Sequence, residues 1–351
     1  MYKLEKGAYY YYNLLENDDE KRLYRKVLYA VSNIVDQIKP DGSFCFEQLE
    51  RVSLFVCNDR PDLFWYNGKC TAKCNHENII VDIEFSYNYS KLHIEELIKR
   101  IESSTFYKQL NNILISIDSD ADKLLALYEY IINNTEYDKE STLSKAVRDN
   151  DIYGIEGVVL KNNAVCSGYA KTFQYFASKH NIWATLVSGV AKNERHAWNL
   201  VCLKGKYYYI DVTWGDQLFT DENNIKSNYI NYDYFCITTS QLIKSHNPVF
   251  DERMPLCDST TYNYYVYKGM IEGTYSPENV AMHINKAMSR GEDALIKYAN
   301  EVVYKEAIEK LFKKSDIIRA LELANKSDNR IRTDKATYSL CESSYIIRIM
   351  L

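Results

Sequence analysis

At 351 residues, 46% hydrophobic and 26% charged, the chain is too long for one ordinary domain and too apolar for global disorder. Its 43 Lys and Arg against 48 Asp and Glu leave a net charge of −5, which argues against a nucleic-acid partner, since such a partner wants a basic face. No apolar run approaches the ~20 residues of a membrane span, and nine cysteines, an odd number on a long chain, do not read as a disulfide scaffold.

The first thirty residues lack a basic start, an apolar stretch and a small-residue cleavage site. A cytoplasmic location is therefore expected, or a secreted or cell-surface one if the chain is a trimmed mature form. Three stretches are expected, 1–115, 116–250 and 251–351, with no flexible linker between them, because five prolines and twelve glycines are too few for one.

In the first stretch the Tyr9–Tyr12 run reads as packing. Asn17, Asp18 and Asp19 offer caps to a helix carrying Leu23, Tyr24, Val27, Leu28, Val31, Ile34, Val35 and Ile38 at helical spacing. A second helix is expected over Phe46 to Cys57 and a third over His93 to Ile101, with strands at Leu63–Tyr66 and Ile79–Phe85 between them. Cys70 and Cys74, with His76 nearby, have no second close pair of ligands, so no metal is expected. No cofactor is expected either.

In the second stretch Ser119 caps a helix with Ala121, Leu124, Leu125, Tyr128, Ile131 and Ile132 on one face. After a loop, Val165-Cys166-Ser167-Gly168 leads into a helix with Tyr169, Ala170, Phe173, Phe176 and Ala177 at core spacing. Cys166 thus stands at a helix N-terminus, where unpaired N–H groups and the dipole favour a thiolate. Ser167-Gly168 beside it would let the backbone approach a substrate closely. Two strands follow, His196–Leu203 and Lys206–Val212, around a two-residue Lys204-Gly205 turn. In that register Leu203 faces Lys206, His196 faces Thr213 and Asp211 faces Trp198. Asp211 then shares a sheet face with His196, within reach of an imidazole hydrogen bond. Such a carboxylate fixes the tautomer, leaving the other ring nitrogen to take a thiol proton. His246 lies outside this pattern and reads as structural. The third stretch mixes strands (Tyr262–Tyr267, Tyr338–Met350) with helices (Glu278–Ser289, Val303–Lys313, Asp316–Ala324).

Val165-Cys166-Ser167-Gly168-Tyr169-Ala170, His196-Ala197-Trp198-Asn199 and Tyr209-Ile210-Asp211-Val212-Thr213-Trp214, in that order, resemble the three motifs of the bacterial transglutaminase-like superfamily, with Tyr153-Gly154 as its lead-in. The resemblance covers residues from about 120 to 246. It implies an α+β, papain-like core with the cysteine on a helix packed against an antiparallel sheet, flanked by mixed α+β regions. It also implies acyl transfer on protein or peptide substrates through a thioester, with Cys166 as nucleophile, His196 as base and Asp211 as its orienter. Trp198, Trp214 and Tyr169 are candidates to line the acyl-binding groove, or to be core. Two features depart from the animal enzymes: no calcium loop is evident, and the aromatic residue that assists the oxyanion upstream of the cysteine has no evident equivalent. Hydrolysis and transamidation both remain open, and a silent scaffold that grips a peptide or glycan is the alternative. The sequence gives no sign of oligomeric state.

Overall fold

The computed structural model describes residues 9–139, 150–216, 230–249, 253–326, 337–342 and 344–350. The tyrosine run forms a short helix, α1 (Tyr10–Asn13), whose Tyr11 and Tyr12 N–H groups donate to the buried Asp59 carboxylate at 3.0 and 2.9 Å. The Tyr24 hydroxyl donates to the same group at 2.8 Å. The run is therefore packing, with Tyr11 and Tyr24 in the core and Tyr12 half-buried beside them.

Helix α2 (Asp18–Asn33) starts on Asn17, whose side chain accepts from Glu20 N. It stops earlier than its apolar pattern because Ile34 turns left-handed at φ 54°. Ile38 then belongs to strand β1 (Gln37–Ile38). Helix α3 (Phe46–Asp59) packs on an antiparallel sheet of β2 (Tyr66–Cys74) and β3 (Ile80–Tyr87), ordered β1-β3-β2. Leu63 to Trp65, expected as a strand, instead make a buried turn, with Leu63 N donating to Arg60 O and Tyr66 N to Leu63 O. Helices α4 (Lys91–Ser103) and α5 (Thr105–Ile115) meet at Ser104, which ends one and caps the other. The second of these was not expected.

The next segment builds the platform for the site. Ser119 caps α6 (Asp120–Asn133), and a small parallel pair, β4 (Glu136–Tyr137) and β5 (Asn163–Ala164), precedes α7 (Cys166–Lys179). Three long strands follow: β6 (Ala184–Ala191), β7 (Glu194–Leu203) and β8 (Lys206–Ile210). With β9 (His246–Pro248) they form an antiparallel sheet in the order β8-β7-β6-β9. Both hairpin turns are two-residue and left-handed, at Lys192-Asn193 and Lys204-Gly205, as the strand twist favours.

The β7–β8 register runs as expected from Leu203↔Lys206 to Asn199↔Ile210. It then stops: β8 ends at Ile210, and Asp211 becomes the N-cap of a short helix, α8 (Val212–Gly215). The expected pairing of His196 with Thr213 therefore does not form, and His196 instead faces Gly189 on β6. Helix α7 lies on this sheet through a small cluster of Ala170, Leu186 and Ala197, with Cys166 packed against it. Asn199 Nδ2 donates to Ala170 O at 3.0 Å, tying helix to strand.

Gly168 has a different task from the one its position suggests. A Cβ there would lie 2.7 Å from Ile152 O, 2.8 Å from Ala164 Cβ and 3.1 Å from Gly154 O. The missing side chain thus admits the chain's own Tyr153-Gly154 lead-in to the start of α7, not a substrate. Gly168→Ala is expected to lower stability by about 1–3 kcal/mol through overpacking, read as the shift in a urea unfolding midpoint. An unchanged midpoint would contradict this packing.

Residues 1–259 form one compact unit and 260–351 a second. The second holds a four-stranded sheet in the order β10-β11-β13-β12, made of β10 (Ile271–Glu272), β11 (Ala294–Tyr298), β12 (Thr337–Cys341) and β13 (Ile346–Met350). Helices Pro277–Met288 and Asp316–Asn325 pack with this sheet in one apolar cluster. Tyr262–Tyr267, expected as a strand, gives instead a short helix at Tyr264–Tyr267. Its tyrosines have strand propensity, but tertiary packing of Tyr264 and Tyr265 overrides it.

Candidate active site

Helix α7 presents Cys166 at its first position, where Val165 offers no side-chain cap to the orphan N–H groups of the first turn. Those groups and the helix dipole face whatever anion forms there. Ser167 Oγ donates to Tyr153 O at 3.2 Å, fixing the turn before the helix.

His196 on β7 and Asp211 at the end of β8 are both buried, and their side chains meet: His196 Nε2 lies 2.7 Å from Asp211 Oδ2. Asp211 Oδ1 accepts from Trp214 N at 3.1 Å. Burial alone would raise the Asp211 pKa, but the charges and hydrogen bonds of His196 and His246 outweigh it and hold the carboxyl below its usual range. An ionised carboxylate only accepts, so Nε2 of His196 donates and Nδ1 remains for the thiol. Burial pulls the His196 imidazolium down. The Asp211 charge and hydrogen bond overcome that, Cys166 adds to them, and the pKa is pushed up to about 10.

Sequence reasoning missed one member of this cluster. His246 is fully buried, and its Nε2 lies 3.0 Å from the same Asp211 Oδ2. Its ring packs against Trp214 and Trp198, at 4.5 and 4.9 Å between centroids. No motif marks it, since it sits 35 residues past Asp211 on a three-residue strand. The only available signal was its chemistry, as one of six histidines in the chain.

The three groove candidates are placed unequally. Trp198 is 0% exposed and stacks near His196 at 5.9 Å, so it walls the cluster from inside. Trp214 is 4% exposed, 5.8 Å from His196, with Lys192 Nζ 4.9 Å above its ring. Tyr169 is fully buried, its hydroxyl within 3.1 Å of both Thr135 O and Asp216 Oδ2. It therefore presents no face to a ligand and acts as a strut under α7. Tyr137 comes nearer to the chemistry. Burial first, then the charges of Cys166, Glu194 and Asp211, raise the pKa of its phenol.

Among the described residues, His196, Asp211 and His246 are the one group of three whose ligand atoms, all within 4.8 Å, could hold a metal ion. Their mutual hydrogen bonds account for that closeness. Cys70, Cys74 and His76 are not among them.

Residues 109–212 match the family model of the Transglutaminase-like superfamily. That segment is a transglutaminase-like core. It contains Cys166, His196 and Asp211 and stops short of Trp214 and His246. The chain is also similar to Kyphoscoliosis peptidase of mouse, 25% identical over 152 residues, and to that of human at 24%. Each match takes in 40% of this chain and spans only 22% of the relative's length. A crystal structure of a TGase is similar at 17% identity and a TM-score of 0.30, over 57% of this chain and 48% of that one. The residues that match the family model take in α7, with Cys166 at its start, and strands β6, β7 and β8 of the sheet beside it.

Proposed function

We propose that the transglutaminase-like core is a cysteine-nucleophile enzyme that transfers acyl groups of amide or peptide substrates through a thioester. The observation that carries this reading is the buried His196–Asp211 pair, whose imidazole proton is stabilised further by Cys166. His196 takes the thiol proton through Nδ1, and the thiolate attacks the amide carbonyl carbon. The oxyanion that forms is met by the Cys166 N–H at the helix start, a donor worth about 3 kcal/mol when well placed. His196 then gives its proton to the leaving amine, and the C–N bond breaks. Water or an amine attacks the thioester, giving hydrolysis or transamidation, and returns the thiol. The Kyphoscoliosis peptidase resemblance favours hydrolysis of a peptide bond as the first activity to assay.

The pH dependence of iodoacetamide labelling at each cysteine, followed by mass spectrometry, tests the pair. At about pH 6 an ordinary thiol is almost wholly protonated. Cys166 is expected to label at least about tenfold faster there than the other cysteines, and to lose that lead in His196→Ala. Labelling of Cys166 at the same rate as its neighbours would leave a scaffold that binds peptide or glycan as the better reading.

A further inference from the structure

We propose that His246 is a positioning residue of this site: its Nε2–H holds Asp211 Oδ2 and thereby fixes the carboxylate that orients His196. The proposal rests on the acyl-transfer reading above and extends it to a residue outside the matched segment and outside the three motifs.

The argument begins with donor and acceptor arithmetic. Asp211 receives three hydrogen bonds, from His196 Nε2 at 2.7 Å, from His246 Nε2 at 3.0 Å and from Trp214 N at 3.1 Å. Two of them converge on Oδ2 and the third takes Oδ1. His196 and the Trp214 N–H hold one oxygen each, and His246 adds a second donor to Oδ2 from another strand, so that the oxygen facing His196 is fixed from two directions. With its Nε2 hydrogen committed to Asp211, the His246 ring has its Nδ1 2.8 Å from the Ser245 hydroxyl, which can turn to suit it. The acceptor-only carboxylate therefore fixes a hydrogen on Nε2.

The fold makes room for this arrangement. Strand β9 pairs with β6 through Ala191↔His246 and Gly189↔Pro248. A Cβ on Gly189 would lie 2.3 Å from Asn247 O and 2.5 Å from the Trp198 ring. Only a glycine there lets β9 close on β6 while Trp198 packs beside both His196 and His246. The rings of Trp214, Trp198 and Tyr234 surround His246 and keep water from competing for its proton. The polar groups that face the two imidazoles include Asp211, Cys166, Ser245 and Tyr234, with Lys192 Nζ over the Trp214 ring.

Two variants of the full chain separate the hydrogen bond from the packing. His246→Phe keeps an aromatic ring among the tryptophans and removes the donor. His246→Gln keeps an N–H at the Nε2 position and loses the ring. If His246 positions Asp211, His246→Phe slows Cys166 labelling by iodoacetamide at pH 6 about tenfold, the loss expected for one hydrogen bond to a charged group. His246→Gln then stays within about twofold of wild type. Wild-type labelling in His246→Phe, or equal slowing in both variants, overturns the proposal while leaving the acyl-transfer reading intact. A wild-type Cys166 with no His196-dependent lead removes both. Nitrogen-15 spectra of the wild-type histidines give a check that needs no variant to fold. His246 is expected with a hydrogen on Nε2, and a bare Nε2 overturns the assignment.

Discussion

Cys166→Ala is expected to give a folded protein that forms no acyl-enzyme and turns over amide substrates at least about 10⁴-fold more slowly. The expectation is severe because no other group can replace the thiolate. Among the thiols of the first unit, Cys57 and Cys257 are pushed up to about 12 by burial, and burial raises Cys236 well above the usual thiol range. None of them is poised to attack. The structural cost is small, since Cys166 is only partly buried and its apolar packing is against the small Ala170, Leu186 and Ala197 cluster. A melting temperature within a few degrees of wild type should therefore accompany the loss. Mass spectrometry after incubation with an activated acyl donor reads the adduct directly. Turnover that survives the substitution would end the nucleophile assignment.

Asp211 carries the second large effect, on stability as well as rate. Asp211→Ala leaves two buried imidazoles and the Trp214 N–H without their shared acceptor, which is expected to cost about 3–5 kcal/mol. Asp211→Asn keeps the shape but supplies one acceptor atom where two are used. Turned toward the histidines, its oxygen leaves the amide hydrogens facing Trp214 N–H; turned away, it offers donors to donors. His196 then adopts the other tautomer, and a rate loss of about 10⁴ is expected.

The pH dependence has a definite sign. His196 is raised to about 10, so its share of stability is complete below its unfolded value of ~6.5 and is lost as pH climbs through 10. Asp211 is depressed, so its share is present above ~3.9 and is lost as pH falls through its native value. The stability difference between wild type and Asp211→Ala should therefore be widest between about pH 4 and 6.5 and shrink steadily toward pH 10. A difference in urea unfolding free energy that stays flat from pH 6.5 to 10 would mean that His196 and Asp211 are not an ion pair.

How much of this was legible in the residues follows the physics of each element. Period and caps located α2, α3, α6 and α7, because an amphipathic helix announces its own buried face. The β7–β8 register was legible from Lys204-Gly205, since a two-residue turn leaves no freedom of pairing. Where that register ends was not, because Asp211 leaves the strand to cap α8. Strand β6, a run of small and branched residues from Ala184 to Ala191, has no alternation to reveal it, being buried along most of its length. His246 was hidden for another reason: its role depends on a pairing of β9 with β6 that no local pattern encodes. The same limit applies to Tyr169, which stands beside the cysteine in sequence and beneath it in space.

The order of strands in the sheet bears on how the protein is made. Synthesis delivers Cys166 first, then His196 and Asp211, and His246 only 35 residues after Asp211. Until β9 has left the ribosome and settled on β6, Asp211 lacks its second imidazole and Trp198 lacks one of its neighbours. A nascent chain thus exposes its thiol well before the carboxylate that governs it is held from both sides. If Cys166 is the nucleophile proposed above, an unfinished copy of this chain that lacks β9 is expected to be a weaker nucleophile than one in which the edge of the sheet has closed.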